Sequence, residues 1–337
     1  MREGQCGTLH PSAFTLPGSM ASEFDLIARY FSPPTRHTAL AGGDDAALID
    51  VSPGMQLVVS TDMLVGGRHF LEDAEARGVG HKSLAVNLSD LAAMGATPRW
   101  VTLSLALPAA DEAWIAAFAS GFLDLAREHD VDLVGGDTTC GPRNICVQIM
   151  GEVRAGGALL RSGARPGDAI WVSGTIGDAA LGLAMVRGEL RADGAAAAGC
   201  IARLERPQPR VGLGRALPGI ATAAIDISDG LVADLGHIAE RSCVRAVIDW
   251  ERIPVCAWAA ARRDEPGVRD GVLAGGDDYE LCFTAPPDRR ADLLALSGRI
   301  GVALTEIGLV EAGDGVEVRD RGGVPVRLVR RGFDHFG

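Results

Sequence analysis

The chain has 337 residues, 47% of them apolar and 23% charged, with a formal net charge of −12. That length accommodates two domains with their own cores. The charge repels a phosphate backbone and no basic stripe offsets it, so nucleic acid is excluded as a partner. No run of about 18 apolar residues exists that could span a membrane. The seven cysteines are odd in number, scattered and without a CxxC pair. That pattern argues for free thiols in a reducing compartment, and against disulfides or zinc, so a cytoplasmic location is expected.

Residues 1–19 carry no apolar core and no cleavage pattern, and read as a disordered extension with Met20 as an alternative start. Phe24, Ile27, Ala28 and Phe31 predict a short helix over 23–31, ended by Pro33 and Pro34. A Gly-Gly turn in AGGDDAALID (41–50) opens onto two acids, and a strand over 57–60 runs into Thr61 and Asp62. The organising stretch is Gly80 to Pro98, GHKSLAVNLSDLAAMGATP. Leu84, Leu88, Leu91 and Ala92 form a buried helical stripe there, with Asn87 and Asp90 on a neighbouring face. Val101–Leu107 reads as a strand, and 110–129 as a helix with Trp114, Phe118, Phe122 and Leu125 along one face. Val131–Val134 is a strand ending in Gly135, Gly136 and Asp137, and Ile145–Val153 is another.

The basic, glycine-rich run 154–168 marks a boundary between an N-terminal domain (20–153) and a C-terminal domain (154–337). A strand over 169–172 then leads through Ser173–Gly177 into a helix to about Arg187. An alanine-rich helix follows, stopped by Pro207 and Pro209. Ala223–Ile227 is a strand, followed by Ser228, Asp229, Gly230 and a helix to Ser242. Gly275–Asp278 precedes a strand over 281–284, and the chain closes on the aromatic tail GFDHFG (332–337).

Gly-Gly-Asp occurs three times, at 42–44, 135–137 and 275–277, and each copy is expected at a strand end. Glycine lets backbone N–H groups turn toward a ligand, and the acid beside it binds a cation held by that ligand. One copy reads as an ordinary turn. Three copies, joined by Asp62, Asp90, Asp226 and Asp229, read as a site. Carboxylates gathered in one cleft oppose one another's ionisation, and a bound cation resolves the conflict. The donors are all oxygens, which favours Mg²⁺, Mn²⁺ or Ca²⁺, and Mg²⁺ commonly shares its shell with substrate phosphates. A nucleotide is therefore the expected ligand. The usual nucleotide signatures are absent: Lys82 is the only lysine and no glycine precedes it, GLGRALPG (212–219) has the wrong spacing, and no HRD or DFG element exists.

GGDDAA (42–47), STDMLVGGRHF (60–70), HKSLAVNLSDLAAMGATP (81–98), GGDTT (135–139), RSGARPGD (161–168), ERPQPR (205–210), IDISDGLVADLGHI (225–238), GGDDYELCF (275–283) and GFDHF (332–336) together resemble the thiamine-monophosphate kinase family. That family lies within the superfamily of aminoimidazole ribonucleotide synthetase and selenophosphate synthetase. The resemblance implies an α+β, two-domain aminoimidazole ribonucleotide synthetase-like fold, a homodimer paired through its N-terminal sheets, and ATP in the cleft between domains. It implies transfer of phosphate from ATP to thiamine monophosphate, assisted by several Mg²⁺ ions. Asp45, Ser60, Thr61, Asp62, Asp90, Asp137, Asp226 and Asp229 would be metal ligands, with Asp90, Asp226 and Asp229 closest to the chemistry. Gly136, Asp137, Arg161 and Ser228 would touch ATP, and His69, Asp277 and Phe333 would face thiamine phosphate. Asp277 stands where relatives often carry Glu, and Phe333 where they carry Tyr or Trp. Read without the family, His69 is an exposed loop histidine. Two rival functions stand beside this one: another ATP-dependent enzyme of the superfamily, or a non-catalytic metal- and nucleotide-binding module. The favoured reading requires Asp45, Asp90, Asp137 and Asp226 to converge in one cleft.

Overall fold

The computed structural model describes residues 22–192, 194–328, 330, 332 and 333. The extension expected at 1–19, Met20 and the end of the tail at 334–337 lie outside the described residues. The first half holds α1 (Glu23–Tyr30), β1 (Met55–Val65), α2 (Ala76–Ala93), β2 (Thr97–Leu107), α3 (Glu112–Glu128), β3 (Asp132–Cys140) and β4 (Asn144–Arg154). Its sheet runs β1-β4-β2-β3, antiparallel except for the parallel β2/β3 pair. The second half holds β5 (Ala169–Ser173), α4 (Asp178–Val186), α5 (Gly194–Glu205), α6 (Val211–Ala216), β6 (Ala223–Asp226), α7 (Leu231–Ser242), β7 (Arg245–Asp249), α8 (Ala257–Ala260), α9 (Pro266–Ala274), β8 (Leu281–Ala285), α10 (Arg290–Ile300), β9 (Leu304–Glu311) and β10 (Gly315–Arg319). Its sheet runs β10-β7-β9-β5-β8-β6. Strands and helices are segregated in mostly antiparallel sheets, so the fold is α+β.

Local chemistry explains several boundaries. Ser22 and Asp25 form a capping box at α1. Asp111 accepts from the N–H groups of Ala113 and Trp114 and starts α3. The helix predicted from Gly80 begins four residues earlier, because the Glu75 carboxylate caps it on the N–H groups of Arg77 and Gly78. Gly80 is there for packing: a Cβ on it would sit 2.1 Å from the Phe118 carbonyl oxygen, and one on Gly121 of α3 would sit 1.9 Å from that of Arg77. The α2 and α3 backbones therefore touch.

The stripe expected on α2 is corrected to a helix buried almost all round. Lys82, Ser83, Asn87 and Ser89 are as enclosed as Leu84, Leu88 and Leu91. The helix is flanked by β1, β4, α3, α6 and β6, so no face is left for solvent. On α1 the buried residue is Leu26, while Phe24 is exposed.

One apolar core runs from the first sheet and its helices to Trp171, Phe283, Leu293 and Leu296 on one face of the second sheet. A second core packs α4, α7 and α9 on the other face, against Ile170, Val172 and Ile225. Every residue of β5 is buried for that reason. In contrast, β1 alternates: Leu57, Val59 and Met63 are exposed while Leu64 is buried.

Candidate functional site

None of the three Gly-Gly-Asp copies lies at a strand end; residues 42–44 form an isolated bridge in the segment between α1 and β1. Residues 135–137 lie inside β3, hydrogen-bonded in register with β2, and 275–277 follow helix α9. Asp62 likewise lies within β1, in register with Val147, because the strand continues five residues past the predicted Ser60 end.

The polar residues of α2 find their partners on both sheets. Asn87 Oδ1 accepts the Asp62 N–H at 3.2 Å, and the Ser60 hydroxyl donates to Asp90 at 2.5 Å. On the opposite side, the Ser89 hydroxyl donates to Asp226 at 2.7 Å. Asp226 closes β6, and the turn after it is pinned by Asp234. One oxygen of Asp234 accepts from the N–H groups of Ser228, Asp229 and Gly230 at 3.0–3.1 Å. The Asp277 N–H donates to the Ser228 carbonyl, and the Phe333 N–H to the Asp229 carbonyl, each at 2.9 Å.

Asp62, Asp90, Asp226 and Asp229 thus share one region between the halves. Burial, followed by the Asp90 and Asp229 charges, pushes Asp62 up to about 7. Burial raises Asp90 as well, opposed by the Ser60 hydrogen bond and by Arg161. Asp226 is raised further, by burial and then by Asp90. Among the described residues, no three of these carboxylates bring oxygens within 4.8 Å of one another. They therefore fit cations shared with phosphates and water, not a closed cage, and the all-oxygen donor set suits Mg²⁺.

Asp45 and Asp137 lie elsewhere. With Gly42, Gly43, Gly136 and Thr138 they line a cavity of about 400 Å³ beside β2 and β3. The register runs Asp62, Val147, Leu103, Gly136 across the sheet, so three strand spacings, about 14 Å, separate Asp62 from Gly136. Within one copy of the chain the required convergence of Asp45, Asp90, Asp137 and Asp226 in one cleft is not met: the acids fall into two groups, because β1 and β3 are opposite edges of the sheet. Thr61 alternates with Asp62 and projects from the exposed face of β1.

Of the three residues expected near the acceptor, Asp277 and Phe333 bond the Ser228–Asp229 turn, and His69 lies in the loop after β1, next to Arg68. Lys82 Nζ donates to Asp277 at 3.0 Å, and the Tyr279 hydroxyl donates to the other Asp277 oxygen at 3.1 Å. Asp277 and Tyr279 both hold positive φ, 69° and 50°, a conformation costly for non-glycine residues and common at sites. Phe333 carries the Arg68 guanidinium 5.1 Å from its ring centre. His69 Nδ1 accepts the Val65 N–H at 2.9 Å, which leaves the proton of a neutral ring on Nε2.

Sequence reasoning placed Asn87 beside Asp90 without giving it a role, and passed over Lys82, Ser89, Asp234 and Tyr279 as site residues. Lys82 had a signal: it is the only lysine in the chain, and it stands on the organising helix. Asn87 and Ser89 had a weaker one, as polar residues among the leucines of a helix.

Residues 43–153 match the family described as AIR synthase related protein, N-terminal domain, and residues 165–321 match its C-terminal domain. A thiamine-monophosphate kinase of Escherichia coli (strain K12) is 47% identical over 319 residues, covering 93% of this chain and 98% of the relative. The crystal structure of thiamine-monophosphate kinase from Stenotrophomonas maltophilia K279a is 49% identical with a TM-score of 0.79, covering 84% of this chain and 91% of that one. A solved structure described as AaThiL complexed with AMPPCP and TMP is 31% identical with a TM-score of 0.74, covering 96% and 100%.

Proposed function

Because the chain belongs to the thiamine-monophosphate kinase family, we infer that it transfers the γ-phosphoryl group of ATP to thiamine monophosphate, giving thiamine diphosphate and ADP. The observation that carries this reading is the cluster of Asp62, Asp90, Asp226 and Asp229, drawn from both halves, in which burial and mutual repulsion raise Asp62 and Asp226. A relative with the same fold is described as holding an ATP analogue together with TMP.

A phosphate monoester has a second pKa near 6, so the acceptor oxygen is largely anionic at neutral pH and needs no general base. The obstacle is repulsion between that anion and the triphosphate. Mg²⁺ ions, when bound, supply the charge neutralisation that lets the two approach in line. Asp62, Asp90, Asp226 and Asp229, with Ser60, would hold them at the transfer centre. Ser60 and Ser89 orient two of the carboxylates, and Arg161 adds positive charge beside Asp90. Thr61, whose side chain projects from the exposed face of β1, would add its main-chain oxygen beside Asp62; Gly136, Asp137 and Asp45 would form a second set for the nucleotide and its metals, and Ser228 would meet ATP from the Asp226 turn. The 400 Å³ cavity beside Asp137 is within the size range of small-ligand pockets.

For the acceptor, His69 would donate from Nε2 to its phosphate, Asp277 would be held by Lys82 to face its cationic end, and Phe333 would offer a ring face to the thiazolium. The exposed Leu57, Val59 and Met63 face supports pairing of two copies through the first sheet. The scattered free cysteines support a reducing, cytoplasmic setting.

The test is to mix the purified chain with Mg-ATP and thiamine monophosphate and follow both products. Stoichiometric thiamine diphosphate and ADP are expected. ADP without thiamine diphosphate, or product only with another acceptor of the superfamily, would refute the reading.

A further inference from the structure

Outside the carboxylate cluster, the fold assembles three soft and hard donors that the chain keeps far apart. Asp178 is the first residue of α4, Cys200 lies on α5, and Cys256 lies just before α8. Their ligand atoms all fall within 4.8 Å of one another. Close packing produces this: a Cβ on Gly182 of α4 would sit 2.5 Å from the Cys200 carbonyl oxygen, so α5 lies against α4. The Ile176 N–H donates to the Pro254 carbonyl at 2.9 Å and ties the Cys256 segment to the start of α4.

Two details separate this group from three side chains that merely meet. The sulfurs of Cys200 and Cys256 are 3.9 Å apart. That is too long for a disulfide, near 2.05 Å, and close to the roughly 3.8 Å edge of a tetrahedron with 2.3 Å zinc–sulfur bonds. In addition, Asp178 is 6% exposed, and while one carboxylate oxygen accepts from the Thr175 hydroxyl, the other, Oδ1, is buried with no hydrogen-bond partner. A buried carboxylate oxygen beside only the weak donor of the Cys256 thiol, and with no hydrogen bond of normal geometry, is a fitting partner for a cation.

We propose that Asp178, Cys200 and Cys256 form a zinc-binding site that ties α4, α5 and the segment before α8 together. Three protein ligands leave the fourth tetrahedral position to water, and the partly exposed Cys256 gives the ion its way in. Binding releases the thiol protons to solvent, since the ligands are thiolates. Sequence spacing argued against zinc because no CxxC pair exists; the two thiols are brought together by helix packing alone.

The test uses the full chain, reduced and stripped of metal, titrated with Co²⁺ in the absence of nucleotide. The expected result is one tightly held cobalt per chain with a thiolate-to-cobalt charge-transfer band in the near ultraviolet and intense tetrahedral absorption in the visible. Zn²⁺ should bleach both bands. Cys200→Ser and Cys256→Ser should abolish the charge-transfer band, and Asp178→Asn should weaken binding about 10-fold or more. Asp90→Asn should leave the bands intact, which separates this site from the oxygen-ligated kinase site. The proposal is overturned if the unmodified chain shows only weak octahedral cobalt absorption, or if Co²⁺ is excluded while mild oxidation joins Cys200 to Cys256. The unmodified chain alone decides these outcomes, so a variant that misfolds does not.

Discussion

Asp90 and Asp226 are each held by a serine hydroxyl and each raised by burial, so both are costly to the folded chain and useful only when a cation arrives. Asp90→Asn and Asp226→Asn should therefore lower kcat by about 100-fold or more while leaving the magnesium-free melting temperature unchanged or higher. Coupled turnover and thermal melts check both halves; near-normal turnover at saturating Mg²⁺ would remove these residues from the transfer centre. The same electrostatics gives a pH dependence. Asp62 and Asp234 sit at about 7 in the folded chain, above the unfolded value near 3.9. These two groups bind more protons in the folded state than in the unfolded one between those values, so their contribution to magnesium-free stability is full below about pH 4 and is lost toward about pH 7. Mg²⁺ takes the place of the protons, so its stabilising effect should grow over that window. Melting temperatures at several pH values, with and without Mg²⁺, would show it, and a magnesium effect that shrinks with rising pH would contradict it.

Helix α2 decides how the two halves meet. It is enclosed on nearly every side, and its buried polar residues reach β1 through Asn87 and Asp90, β6 through Ser89, and Asp277 through Lys82. Its contact with α3 depends on the absence of side chains at Gly80 and Gly121. Gly121→Ala would place a Cβ 1.9 Å from the Arg77 carbonyl, so the helices must separate. We expect a loss of about 1–3 kcal/mol in stability, read by denaturant unfolding, with a matching fall in activity as the Asp90 side of α2 shifts. An unchanged unfolding midpoint would show that α3 can move at no cost. The presence and approximate extent of α1, α2, α3, α4, α5 and α7 were legible in the sequence, whereas α6, α8, α9 and α10 were not read as helices. The start of α2 was not legible, because Gly78 reads as a breaker when taken alone and the Glu75 cap that carries the helix past it is seen only in the structure. The ends of β1 and β3 were also missed, since Thr61, Asp62 and Gly135–Thr139 have weak strand preference and are held by pairing with β4 and β2.

At the scale of the molecule, β1 exposes Leu57, Val59 and Met63 on the face opposite Asp62, at 44%, 49% and 54%. A row of large apolar side chains on an open sheet face fits a second copy of this chain. Val59→Arg should convert a dimer to a monomer in light scattering, without altering the α2 contacts of Ser60 and Asp62. If the unmodified chain already runs as a monomer at micromolar concentration, the pairing is wrong. A dimer would also place Thr61 within the interface, since it projects from the same face.

The amino-acid sequence alone determined the chemistry available: an oxygen-rich set of acids, no phosphate loop, and motifs that run in the order of a known kinase family. These are properties of residue type and short spacing, and they survive without a fold. Tertiary structure decided the grouping. Asp62, Asp90 and Asp226 meet around α2, whereas Asp45 and Asp137 face a cavity at the other edge of the sheet. Lys82 pairs with Asp277 across 195 positions, Ser89 with Asp226 across 137, and Cys200 meets Cys256 across 56. Contacts of that range are set by which helix faces and strand edges pack together, and no local pattern of residues records them.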